Sequence, residues 1–186
     1  LTFGKVAQER STIIKDLALE EQPFALCTLH RAENVDRLTI LEWIVEELNQ
    51  VSKTIKLVLP LHPRTKSKLE QFSLFEKLSS NVKLIDPVGF LDVLSLQQSS
   101  SIIITDSGGM QKEAFFQKRP CVTVRTETEW VELLDGGHNR LAKPMVDPIF
   151  QKVEEALNTT LDWSVELYGD GQSSKTIAKA LWERSN

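Results

Sequence analysis

Long apolar runs are missing from this chain: the longest candidates, residues 24–29 and 102–104, are strand-sized, whereas a membrane helix needs roughly 20 such residues. Cysteine is scarce, with 2 in 186 residues, and neither a CxxC pair nor a histidine cluster accompanies the 3 histidines. A disulfide framework and a zinc site are therefore not expected. Cys27 and Cys121 lie inside apolar stretches and are read as buried, reduced thiols, a disulfide between them being the lesser alternative. Positive charge is not in excess either: 22 Lys and Arg against 26 Asp and Glu leave a net charge of −4. That disfavours a nucleic-acid binder, which clusters cations to neutralise phosphates. It does not disfavour a small nucleotide, whose few phosphates need only a local positive site. No Walker A loop, GxGxxG motif, secretion signal, internal repeat, low-complexity tract or linker is found. No metal and no redox or organic cofactor is indicated. An initiating methionine is also absent, because the chain opens at Leu1; a cut, processed or partially recorded polypeptide is expected.

What is present suits one soluble domain. Hydrophobic residues make up 41% and charged residues 26% of the chain, enough for a core and a polar surface. Residues 3–18 predict an opening helix with Val6, Ile13, Ile14 and Leu17 on its apolar side. The apolar run 24–29 stops abruptly at His30-Arg31. Leu41, Ile44, Val45 and Leu48 then follow helical spacing. A second apolar run, 55–61, stops at His62-Pro63-Arg64, and a polar helix over about 65–78 leads to the run 82–85 and Asp86.

The alternation continues with a helix around Phe90–Leu96 and the continuous run Ser101–Thr105, which reads as a buried parallel strand. Asp106-Ser107-Gly108-Gly109 feeds a helix from Met110 to about Gln117. Residues 120–124 form a further strand ending at Arg125, followed by a helix from Trp130 for which Thr128 is a candidate N-cap. Asn139–Met145 holds a sixth strand, and helices near 147–158 and 173–184 complete the chain. Strands alternating with helices in this way predict an α/β fold, a three-layer doubly wound parallel sheet of Rossmann type, over 1–186 as a single domain.

Open parallel sheets bind ligands beyond the carboxyl ends of their strands. The residues standing there are His30-Arg31, His62-Pro63-Arg64, Asp86, Asp106-Ser107 and Arg125, although such residues also serve simply to cap loops. Asp106-Ser107-Gly108-Gly109 is the most informative. A strand entering two glycines and then a helix leaves N–H donors at the helix start, where the dipole favours an anion such as phosphate. Glycine lets the anion approach the backbone; a plain tight turn is the competing explanation. Glu113, one turn into that helix, could accept from a ribose diol or merely complement the dipole. His138 reads as a loop histidine, and Trp43, Trp130, Trp163 and Trp182 as packing residues.

Five segments, in order, resemble the non-hydrolysing UDP-N-acetylglucosamine 2-epimerases. Thr28-Leu29-His30-Arg31-Ala32-Glu33-Asn34-Val35-Asp36 resembles their HRxEN segment, and Leu61-His62-Pro63-Arg64-Thr65 their second His-Pro strand end. Asp106 to Ala114 resembles DSGGxQEEA, Arg125 to Glu132 resembles R-x-x-TE-x-x-E, and Tyr168-Gly169-Asp170-Gly171 the closing YGdG turn. The resemblance runs from about residue 2 to the end.

The resemblance implies the C-terminal domain of a GT-B fold and an isomerase of polysaccharide biosynthesis in the cytoplasm. The family reaction interconverts UDP-GlcNAc and UDP-ManNAc by eliminating UDP to a glycal and adding it back. Carried over, Ser107, Gly108 and Gly109 would hold the diphosphate, Glu113 the ribose, and Arg125 would lie near the phosphates. Phe90 would lie near the uracil, with Arg31, Glu33 and His62 completing the UDP-binding set. His30 would be the catalytic group facing the leaving diphosphate or sugar. Lys112 departs from the family's acidic residue, at a position expected to face away from the ligand. The family's N-terminal domain, with the carboxylates for proton transfer at C2, has no counterpart here. The chain alone is therefore expected to bind UDP weakly and turn over little, with an N-terminal half or a second copy as partner. Other readings are a GT-B glycosyltransferase domain, a non-catalytic nucleotide-sugar-binding module, and a flavodoxin-like or receiver domain.

Overall fold

The computed structural model describes residues 2–169 and 171–185. Asp170, within the expected YGdG turn, lies outside them. Six parallel strands run β1 (Phe24–Thr28), β2 (Lys56–Pro60), β3 (Val82–Ile85), β4 (Ile102–Thr105), β5 (Cys121–Thr123) and β6 (Asn139–Leu141). They lie in the order β3-β2-β1-β4-β5-β6, that of a dinucleotide-binding Rossmann sheet. The chain works outward from β1 to β3, returns to β4 beside β1, and works outward again. The β1/β4 boundary is thus a switch point, where the loops that follow the two strands diverge and leave a crevice.

Side-chain alternation explains why the strands are continuous apolar runs. Ala25, Cys27, Leu57, Leu59, Ile102, Ile104 and Val122 face one core, shared with Leu41, Ile44, Val45 and Leu48 of α4 (Leu38–Val51) and Val153 of α9 (Ile149–Leu157). Phe24, Leu26, Val58, Ile103 and Cys121 face the other, shared with Leu96 of α6 (Phe90–Ser99) and Ala114 of α7 (Gly108–Phe116). A parallel sheet covered on both faces has no solvent side, so no polar alternation survives in its sequence. Three layers result, as the sequence predicted. Among the described residues no helix is long and apolar enough to cross a membrane.

Several boundaries differ from the sequence reading. The opening helix is two, α1 (Thr2–Arg10) and α2 (Ile13–Asp16). Ser11 interrupts it, donating to Asp92 Oδ1 of α6 at 2.6 Å and accepting from the Ile13 N–H at 3.3 Å; such local bonds compete with the helical ladder. The segment after His30-Arg31, read as a loop, holds the short α3 (Ala32–Val35). The polar helix stops early, as α5 (Pro63–Gln71), because Ser73 adopts a φ of 54° before a 3₁₀ turn over Phe75–Lys77. Finally, α7 begins at Gly108 rather than Met110. Both glycines are helical, and their low helix propensity had hidden this. Beyond α8 (Val131–Asp135), α10 (Ser173–Ser185) closes the chain.

Cys27 and Cys121 are unpaired and buried, on opposite faces of the sheet. Burial, reinforced by the charge of Asp106, pushes the Cys27 thiol far up, and burial pushes Cys121 up to about 12. Thiolate is the reactive form, so neither thiol should react with a disulfide reagent at pH 8 until denaturant is added, when both should. Titration of native protein with such a reagent checks this. Rapid modification of one thiol without unfolding would contradict the buried assignment.

Candidate functional site

The crevice at the β1/β4 boundary is organised by one buried carboxylate. Asp106, the first residue after β4, is fully buried. Its Oδ2 accepts the His30 N–H at 3.0 Å, the Arg31 N–H at 2.9 Å and Asn34 Nδ2 at 3.2 Å. Its Oδ1 lies 3.2 Å from the same His30 nitrogen and 3.1 Å from His30 Nδ1. Asn34, itself buried, continues to the Val124 carbonyl at 2.9 Å. The loops leaving β1, β4 and β5 are thereby tied together beneath the site. This holds the His30 ring, 41% exposed, at the crevice rim.

Ser107 stands at the N-cap of α7 with no side-chain hydrogen bond into the helix, and Gly108 and Gly109 form its first turn. First-turn N–H groups have no partner inside a helix. The turn is braced from behind. The Trp130 indole N–H donates to the Gly108 carbonyl at 2.8 Å, and Gln111 Nε2 donates to the Ser107 carbonyl at 3.3 Å. Gln111 Oε1 in turn accepts from Thr128 at 2.5 Å and from Asn139 at 2.9 Å. Thr128 is thus part of this brace, and the residue capping α8 is Trp130. The packing role read for Trp130 is incomplete, because its ring edge fixes the glycine turn.

Arg125, only 11% exposed along its side chain, lies two residues beyond β5 and pairs through Nη1 with Glu129 Oε2 at 2.7 Å. The Glu129 carboxylate lies against the helix start, since a Cβ built on Gly108 would meet its Oε1 at 2.2 Å. Its own backbone N–H, then Arg125 and Arg31, hold the Glu129 carboxyl below the usual range. A carboxylate therefore already rests where two arginines and the α7 N-terminus converge.

On the β2/β3 side, Thr28, His30, Pro60, His62, Pro87, Val88 and Val93 line a groove of about 160 Å³. The His30 and His62 rings lie 5.5 Å apart. His62 caps α5, its Nδ1 accepting the Arg64 N–H at 3.2 Å. Arg64 is committed elsewhere, forking onto Asp36. Phe90 opens α6, is 58% exposed and stacks edge-on against Phe3 at 5.8 Å. A larger hollow of about 400 Å³ on the opposite flank is bounded by Glu33, Arg37, Thr126 and Met145. The smaller groove has the more apolar walls, from Pro60, Pro87, Val88 and Val93.

The structure thus gathers His30, Arg31, Ser107, Gly108, Gly109 and Arg125 at the switch point, with His62 lining the adjoining groove and Phe90 exposed at the start of α6. Two expected residues stand apart. Glu113 faces α6, where it accepts from Gln97 Nε2 at 2.7 Å. Glu33 is exposed on α3, 3.7 Å from Arg31 Nη1. Lys112 turns away from the site, 4.4 Å from the Trp130 ring and 4.2 Å from that of Tyr168. His138 is buried, its Nε2 bonded to the Asp162 carbonyl at 2.8 Å. Among the described residues no group of three or more His, Cys, Asp or Glu could hold a metal. The sequence places Asp106 at the ligand edge and Asn34, Gln111 and Glu129 inside the family-like segments, but shows none of the bonds that join them.

Residues 2–182 match the model of the family described as UDP-N-acetylglucosamine 2-epimerase. The chain belongs to that family. It is 48% identical over 159 residues to UDP-2,3-diacetamido-2,3-dideoxy-D-glucuronate 2-epimerase of Pseudomonas aeruginosa, covering 85% of the chain and 44% of that relative. It is 39% identical over 184 residues to UDP-N-acetylglucosamine 2-epimerase of Methanococcus maripaludis, covering 96% and 50%. The crystal structure of the Methanocaldococcus jannaschii UDP-GlcNAc 2-epimerase in complex with UDP-GlcNAc and UDP superposes with a TM-score of 0.87 at 35% identity, covering 98% of this chain and 51% of that one. The chain spans about half the length of the curated relatives it matches. Family membership sets aside the receiver and glycosyltransferase readings.

Proposed function

We propose that this chain is the nucleotide-binding C-terminal half of a UDP-N-acetylglucosamine 2-epimerase, a single UDP-binding domain completed by a second half that carries the carboxylates for proton transfer at C2. The observation that carries the reading is the convergence, on one crevice, of the α7 N-terminus, Arg125, Arg31 and His30 in a member of this family. A diphosphate suits the spot now taken by the Glu129 carboxylate, since helix-start N–H groups and guanidinium forks are the groups that bind phosphate oxygens. The adjoining groove beside Phe90 accommodates the uracil. His30 faces the bond between diphosphate and sugar, where UDP leaves and re-adds. Glu113 reaches the ribose if it exchanges its bond to Gln97, and Glu33 and His62 line the approach. The setting proposed is the cytoplasm, a reducing compartment in which unpaired thiols persist.

A second sugar has a specific observation behind it: the 48% identical relative is named for a diacetamido glucuronate. Both names share a UDP-linked sugar epimerised at C2, so the proposal at this site concerns UDP and C2, with UDP-N-acetylglucosamine as the leading sugar.

Calorimetric titration of the purified chain is the test. UDP should bind and uridine alone should give no measurable heat. Arg125→Ala should weaken UDP about 10- to 100-fold, the loss of a charge-assisted contact of about 1.5–3 kcal/mol. Absence of heat with both UDP and UDP-N-acetylglucosamine would sink the nucleotide reading and leave a non-binding scaffold.

A further inference from the structure

We infer that Asp106 is a positioning residue that fixes the tautomer of His30, holding the ring proton on Nδ1 and reserving Nε2 for the ligand. This rests on the proposed role of His30 at the leaving diphosphate. A neutral imidazole has one N–H and one lone pair, and its surroundings decide which nitrogen carries which. His30 Nδ1 lies 3.1 Å from Asp106 Oδ1. The charge of a buried carboxylate oxygen at that distance repels a lone pair on Nδ1 and attracts an N–H, the contact being an electrostatic one rather than an aligned hydrogen bond. Nδ1 is therefore the protonated nitrogen, and Nε2, on the opposite edge of the half-exposed ring, carries the lone pair. A proton exchanged with a phosphate oxygen then enters and leaves the ring at Nε2 alone. The imidazolium so formed is balanced from behind by Asp106.

The other histidines provide an internal contrast. His62 Nδ1 accepts the Arg64 N–H, so its proton sits on Nε2. His138 Nε2 meets the Asp162 carbonyl, which can only accept, so its proton also sits on Nε2. Of the three histidines, His30 alone is set for Nδ1–H.

Asp106→Asn makes a sharp forecast. Oδ2 of Asp106 receives three donors, from His30 N, Arg31 N and Asn34 Nδ2. The asparagine oxygen therefore takes that place and its NH₂ takes the place of Oδ1, facing His30 Nδ1. A donor there demands a lone pair on Nδ1, and the proton moves to Nε2, as happens in the serine-protease triad when its aspartate becomes asparagine.

The experiment is a long-range proton–nitrogen correlation spectrum of the ¹⁵N-labelled 186-residue chain, at alkaline pH with all rings neutral and without nucleotide. His30→Gln identifies the His30 signals. The expected pattern is Nδ1–H for His30 and Nε2–H for His62 and His138, with His30 alone inverting in Asp106→Asn. Nε2–H or an even mixture for His30 in the unsubstituted protein would overturn the inference, as would an unchanged His30 pattern in folded Asp106→Asn. Should that variant not fold, the unsubstituted spectrum decides by itself. Because no nucleotide is present, a failure of UDP binding leaves this result standing, and an Nε2–H His30 leaves the UDP reading standing.

Discussion

Asp106→Ala is expected to destabilise the fold by about 3–5 kcal/mol, the summed cost of leaving three donors without their buried acceptor. The carboxylate accepts two backbone N–H groups and the Asn34 amide in a place it fully buries. Alanine leaves those donors without an acceptor, and each unsatisfied buried donor costs about 1–3 kcal/mol. A protein of this size should lose about 10 °C in melting temperature. Asp106→Asn, which keeps an acceptor for the three donors on Oδ2, should lose much less. Guanidinium unfolding with an unchanged denaturant slope checks the pair. A loss below about 1 kcal/mol for alanine would mean that water reaches the cluster and that the loops after β1, β4 and β5 are not tied there.

The second large effect is expected at Gly108, and there binding and stability should part. The nearest obstacle to a side chain at this position is the Glu129 carboxylate, 2.2 Å from a built Cβ. It is the far end of a flexible side chain, largely exposed, and can move. Gly108 also has helical backbone, where alanine is favoured over glycine by up to about 1 kcal/mol. Gly108→Ala should therefore leave the melting temperature unchanged or slightly raised. The same methyl stands over the helix start where a phosphate oxygen must reach the N–H groups. UDP affinity should fall about 30-fold or more, the loss of one or two charge-assisted bonds of about 1.5–3 kcal/mol each. Unchanged UDP affinity in Gly108→Ala, with calorimetry as the readout, would place the diphosphate elsewhere.

Much of this architecture is legible without coordinates. Ser101–Thr105 reads as a central strand because both its faces are buried, and Ile102, Ile103 and Ile104 are indeed fully buried. His30, Ser107 and Arg125 can be assigned to the ligand edge because the end of a strand is a local event, an apolar run that stops. The misread pieces have specific causes of their own. Ser11 breaks the opening helix through its bond to Asp92, a partner 81 residues away that no helical periodicity can reveal. The glycines of α7 look like a turn because propensity penalises them, yet both are helical.

The sequence alone determined the α/β alternation, the family and the edge on which the strand-end polar residues gather, since apolar periodicity, strand ends and short motifs are properties of neighbouring residues. Tertiary structure alone decided that β1 lies beside β4, bringing Asp106 to His30 across 76 residues. It also decided that Glu113 turns to Gln97 and that Glu129 rests on Gly108. Strand order follows from how the crossovers pack both faces of the whole sheet. Partners chosen by that packing leave no trace in the residues beside them.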